Sequence, residues 1–180
     1  MSKYRLSFMG IVVLAGALLA CCRGLHDDPV EVTTWDAAPS WSNAGDRLTF
    51  ASLGDPQDSV PVMGLYAVDT TGENRVLLSP GGSHSTWLPG DTAIIFMKTN
   101  FKLYYLNLNT MAESLLCDCG FARFPEMSPD GRYLLISRHK VYRYDMVTDS
   151  EIVLFSPGLQ ARYDWSPDGS TIIIGDFLQT

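Results

Sequence analysis

Four stretches of this chain repeat one phrase, and their spacing limits the folds open to it. "WSNAGDRLTFA" begins at Trp41, "WLPGDTAIIFM" at Trp87, "MSPDGRYLLIS" at Met127 and "WSPDGSTIIIG" at Trp165, in steps of 46, 40 and 38 residues. A second phrase keeps the same phase, with "LYAVD" at Leu65, "LYYLN" at Leu103 and "VYRYD" at Val141 in two steps of 38. A third follows it: "RVLLSPG" at Arg75, "SLLCDCG" at Ser114 and "IVLFSPG" at Ile152. One insertion, "GDPQDSVPVMG" from Gly54 to Gly64, explains the longer first step. Self-similarity at such a period is the mark of a repeat architecture.

Each unit holds four short runs of β-type residues. In the third unit they are "RFPEM", "RYLLIS", "KVYRYDM" and "EIVLFS". Tyr142 and Tyr144 alternate with Arg143 and Asp145, as a strand with unlike faces requires. Outside the first twenty residues, no segment keeps apolar residues at helical spacing over three turns. Ser-Pro-Asp-Gly then reads as a turn. Pro pre-sets the backbone at the second position, Asp suits the third and Gly accepts the left-handed fourth. Such a type I turn with a Gly bulge would join the first strand of a unit to its second. Asn43-Ala44-Gly45 can do the same, whereas Pro89-Gly90 favours type II. Asp130 and Asp168 are therefore turn formers rather than catalytic acids. The Trp beside each turn is expected to pack against the neighbouring sheet as core.

The expected fold class is all-β, a propeller-like array of four-stranded antiparallel blades. A sheet this small has two apolar faces and buries them only by stacking on its neighbours. "SPDGRYLLIS" and "WSPDGSTIIIG", together with "LYAVDTTGENRVLLS", resemble the PD40 (WD40-like) repeats of TolB-type propellers. The resemblance runs from about Val30 to Ile174. It implies a periplasmic location and contacts with lipoproteins through the propeller faces. Related propellers gate peptidases of the prolyl oligopeptidase type.

The strand count comes to about three and a half blades. "VEVTTW", Val30 to Trp35, reads as the last strand of a preceding blade; with three full blades and two more strands the total is 15. Four blades need at least about sixteen. A truncated longer propeller, a four-bladed ring with one incomplete blade, and two chains completing each other all fit, with truncation or an open arc preferred.

Met1 to Ala20 reads as a lipoprotein signal peptide. Lys3 and Arg5 precede the apolar run "LSFMGIVVLAGALLA", which has the length of a signal core. Leu18-Leu19-Ala20-Cys21 resembles the bacterial lipobox, which implies acylation of Cys21. Residues 21–29 would be a lipidated tether and residues 30–180 the partial propeller. Two or more acyl chains would anchor the protein stably to the membrane. Cys22 stands where an Asp would retain an enteric lipoprotein in the inner membrane. The expectation is a cell-envelope protein of the outer membrane, facing the periplasm or the exterior.

Removing the leader takes the net charge from −7 to −9. An acidic surface argues against nucleic acid, which is held through Lys and Arg. Val, Ile, Leu and aromatic residues are too plentiful for a disordered body.

The chemistry-bearing motifs are few. Gly81-Gly82-Ser83-His84-Ser85 lacks the last Gly of a nucleophile elbow. No phosphate loop or metal-ligand spacing occurs, so no cofactor and no metal are expected. Cys117-Asp118-Cys119 reads as two small residues at a strand end, with a disulfide open as an alternative; in a regular strand their Cα atoms would lie roughly 6.6 Å apart. Candidate interaction residues are Asp55 and Asp58 in the insertion, His84 in the loop Gly81–His84, and Arg138, His139, Lys140 and Arg143 on a hairpin of the third blade. Gly158–Gln160 supplies a further loop. The expected function is a lipid-anchored, non-enzymatic interaction module that binds an envelope protein. The alternatives are the propeller portion of a longer peptidase or glycan-active enzyme, or an inactive truncated product.

Overall fold

A computed structural model describes residues 36–54, 62–156 and 162–175. Among them every regular element is a strand. Val30–Trp35, the leader with Cys21 and Cys22, Asp55, Asp58 and the Gly158–Gln160 loop lie outside the described residues.

The strands fall into sheets as the repeat dictates. Blade 1 holds β1 (Asp36–Trp41), β2 (Arg47–Ser52), β3 (Gly64–Asp69) and β4 (Val76–Pro80). Blade 2 holds β5 (Gly82–Trp87), β6 (Ala93–Lys98), β7 (Leu103–Asn107) and β8 (Glu113–Cys117). Blade 3 holds β9 (Arg123–Met127), β10 (Tyr133–Ser137), β11 (Val141–Asp145) and β12 (Ser150–Phe155). β13 (Arg162–Trp165) and β14 (Ile172–Gly175) pair as the described part of a fourth. Within each blade the strands lie in chain order and pair antiparallel. The first strands β1, β5, β9 and β13 lie beside one another, so they form the axis.

The turns take their expected form. The Gly131 amide donates to Ser128 C=O at 2.8 Å with φ 74°, and the Gly169 amide to Ser166 C=O at 2.8 Å with φ 69°. Gly45 repeats this on Ser42 at 2.9 Å. The side chains of Asp130 and Asp168 accept from Ser128 and Ser166 hydroxyls and from the amides two residues on, which is a turn role. In the second unit the Asp91 amide donates to Leu88 C=O at 3.1 Å across Gly90 at φ 81°, as a type II turn places its glycine.

The core sits between blades. Leu65 of blade 1 packs with Trp87, Ile94, Phe96 and Leu106 of blade 2. Ile95, Met97 and Leu103 of blade 2 pack with Met127, Leu134 and Ile136 of blade 3. Alternate residues of β6 thus serve opposite seams, so the strand is apolar on both faces. Gly82 shows how close the blades come: a Cβ there would lie 2.8 Å from Leu65 Cβ and 3.1 Å from the Phe96 ring.

The tryptophans correct one expectation. Trp87 is buried and its Nε1 donates to Ser40 C=O of blade 1 at 3.0 Å. Trp165 repeats this on Glu126 C=O of blade 3 at 3.4 Å while stacking on Tyr133, but remains half-buried. Trp41, in the first described blade, is 57% exposed.

Candidate functional site

The first strands share the axis, so the residues they turn inward share one space. In β1, β5 and β9 one residue is squeezed out of register with the second strand. These residues are Ala38, His84 and Phe124, at φ 52°, 42° and 53°. Each stands three positions before the repeated Trp41, Trp87 or Met127. Arg162 stands three before Trp165. A bulge re-aims its side chain and bends the strand. All four residues line one axial cavity of about 440 Å³, with Asp36 and Glu126 in its walls.

Aromatic contacts hold the walls. The His84 ring meets Phe124 edge-on at 4.8 Å, and the Arg162 guanidinium lies over the same Phe124 ring at 3.6 Å. Tyr163 donates its hydroxyl to Phe124 C=O at 2.6 Å, locking β13 onto β9. Burial, aided by the cations Arg162 and Arg123, pulls the His84 imidazole down to about 4. Burial and the Asp164 carboxylate push the Glu126 carboxyl up to about 7. Burial, with Glu126 behind it, raises the Tyr163 phenol. A neutral imidazole that can accept a hydrogen bond, a carboxyl poised near neutrality and a guanidinium therefore face one small space. Perturbed ionisable groups gathered in a cleft mark this space as a candidate ligand site.

The predicted interaction residues do not gather there as a set. His84 does, but from strand β5 rather than from an inter-blade loop, because the loop contracts to Gly81 at φ 69°. Arg138, His139 and Lys140 form the hairpin between β10 and β11, as expected. Arg138 is an internal part of the blade, paired with Glu151 and lying over Tyr142 at 4.2 Å. Lys98 does the same in blade 2, paired with Glu113 and 4.9 Å from the Tyr104 ring. Arg143 lies over Tyr133 at 4.4 Å, and the His139 ring meets the Tyr142 hydroxyl at 3.0 Å. The hairpin is therefore largely occupied with its own blade. Cys117 and Cys119 form a disulfide, with Cα atoms 5.1 Å apart, because the chain leaves β8 at Cys117 and bends. Among the described residues, no three His, Cys, Asp or Glu side chains come together as a metal site.

Sequence reasoning passed over Phe124, Glu126, Arg162 and Tyr163. The available signal was the position three residues before Trp41, Trp87, Met127 or Trp165, which Phe124 and Arg162 share with Ala38 and His84. Ala38, His84, Phe124 and Arg162 share a position but no chemistry, so no motif marks them.

Antiparallel four-stranded sheets set around an axis lined by their first strands define a β-propeller. No family model and no curated protein matches the chain in sequence. Solved structures match it in shape. An oligogalacturonate lyase in complex with manganese aligns with TM-score 0.57 and 15% identity, over 81% of this chain and 47% of that one. The β-propeller domain of the Trilobed protease from Pyrococcus furiosus, described as an open velcro topology, aligns with TM-score 0.57 and 14% identity, over 78% and 48%. An auxiliary nutrient binding protein from Bacteroides thetaiotaomicron aligns with TM-score 0.58 and 17% identity, over 78% and 36%. The chain thus has the propeller fold and spans about half or less of these structures.

Proposed function

We propose that this protein is a lipid-anchored, non-enzymatic interaction module of the cell envelope, akin to TolB-type propellers. Its binding surface is the axial mouth rather than the outer hairpin. The observation that supports this reading is the axial cavity, where one register position of four strands delivers Ala38, His84, Phe124 and Arg162 to a space of about 440 Å³. Such a space admits a side chain or a short loop of a partner, and rigid strands hold its walls in place. The lipobox-like Leu18–Cys21 supplies the anchor.

A second reading makes the chain the propeller portion of a larger enzyme. The solved structures of like shape include a lyase and a peptidase of which this chain spans only 47% and 28%. Cross-linking tests the first reading. Full-length protein is cross-linked in cells, alongside a variant with Phe124→Ala and Glu126→Gln and another with residues 55–61 deleted. The interaction reading expects the axial variant to lose its captured envelope protein. Retention of every captured protein by the axial variant would reject the axial mouth. Cys21→Ala is expected to abolish palmitate labelling and to release the protein from membranes; persistent labelling would reject the anchor.

A further inference from the structure

We propose that the Cys117–Cys119 disulfide is a thiol-exchange site, reduced by small monothiols while the propeller stays folded. The two cysteines are separated by Asp118 alone. A cross-link over so short a loop removes little entropy from the unfolded chain, so it is a poor staple. Its surroundings suit exchange. The pair lies where β8 ends and the chain crosses to blade 3; both cysteines are half-buried and Asp118 is exposed. Both pack on the cluster that joins blades 2 and 3. The Asp118 carboxylate is held at 2.8 Å by the Lys102 ammonium on the β6–β7 turn. That pairing offsets the negative charge of the residue between the two cysteines, and a positive charge close to a thiol favours its thiolate. The crossing that follows has left-handed backbone at Gly120 and Phe121, each at φ 54°. Phe121 is not glycine, so its conformation is held only by its surroundings.

The step is ordinary exchange. A thiolate RS⁻ attacks one sulfur of the pair. The new S–S bond forms as the Cys117–Cys119 bond breaks, and the electron pair leaves on the other cysteine as a thiolate. A second RS⁻ attacks the external sulfur of the mixed disulfide, RSSR departs, and the first cysteine leaves as its thiolate. Solvent protonates both. Two external thiols are oxidised by two electrons in total, and the pair becomes a dithiol.

Glutathione is the probe. Folded, full-length protein is equilibrated with graded ratios of reduced to oxidised glutathione, free thiols are alkylated, and the peptide carrying Cys117 and Cys119 is mapped by mass. Peptide mapping separates this pair from Cys21 and Cys22. We expect conversion from disulfide to dithiol in glutathione with the near-ultraviolet circular dichroism unchanged. Cys117→Ser and Cys119→Ser should each trap one glutathione on the remaining thiol. A pair that stays oxidised until urea unfolds the protein, or that stays as free thiols under excess oxidised glutathione, overturns the proposal. The double serine variant should unfold at nearly the same urea concentration as the parent; a large drop would show a staple instead.

Discussion

His84 and Glu126 face the same cavity and pull the pH dependence of stability in opposite directions. The imidazole falls from 6.5 in an open chain to about 4 in the fold, so the unfolded state holds the extra proton between those values. Its contribution is complete above about 6.5 and is lost as the pH falls toward 4. The Glu126 carboxyl rises from 4.5 to about 7, so here the folded state holds the extra proton. Its contribution is complete below 4.5 and is lost as the pH rises through about 7. Each slope reaches at most about 1.4 kcal/mol per pH unit. The two oppose each other between about 4.5 and 6.5. Urea unfolding across that window should therefore show opposite tilts in the single variants. Glu126→Gln should lose stability as the pH falls, and His84→Gln should lose it as the pH rises. Parallel curves would show that neither group is buried. Lower on the scale lies Asp168, drawn to about 2 by hydrogen bonds from the Ser166 side chain and the Ser170 amide and side chain. Its contribution is present above its ordinary 3.8 and is lost as the pH falls toward about 2, and Asp168→Asn should remove that last acid-labile part.

At the scale of the strand and turn, two kinds of glycine can be told apart. Gly72 and Gly131 both have positive φ, 83° and 74°, but a Cβ at Gly72 meets open space while one at Gly131 meets Pro89 of the neighbouring blade at 2.9 Å. Gly72→Ala should therefore cost about 1 kcal/mol from backbone strain alone, and Gly131→Ala about 1–3 kcal/mol more from the added clash. Gly82→Ala, with no left-handed requirement, should cost about 1–3 kcal/mol through Leu65 and Phe96 alone. Equal urea midpoints for the Gly72→Ala and Gly131→Ala variants would deny the close approach of blades 2 and 3. The elements themselves could be read from the sequence, because turn chemistry is local: Ser128-Pro129-Asp130-Gly131 specifies its own hairpin. The bulges at Ala38, His84 and Phe124 could not, because a bulge is a relation between two strands and its three residues have nothing chemical in common. His84 was thus visible as a candidate but placed in the wrong kind of segment. Arg138 was visible as a charge, yet its match to Lys98 emerges only once both side chains lie over the Tyr of the next strand.

For the molecule as a whole, the described blades hide their apolar faces against each other, between blades 1 and 2 and between blades 2 and 3. Trp41, 57% exposed, and Ile173, 69% exposed, stand at the two ends of the described array. The repeat made the stacking predictable, but the burial of each Trp depends on its place in the row rather than on its motif. Residues about forty apart in sequence meet across blade seams around one axis. Nuclear Overhauser effects test this arrangement most directly. It predicts cross-peaks between the rings of His84 and Phe124, and between those of Tyr133 and Trp165, whose centroids lie 4.8 and 6.4 Å apart. Absence of both, with cross-peaks instead linking strands of different units into one continuous sheet, would contradict it.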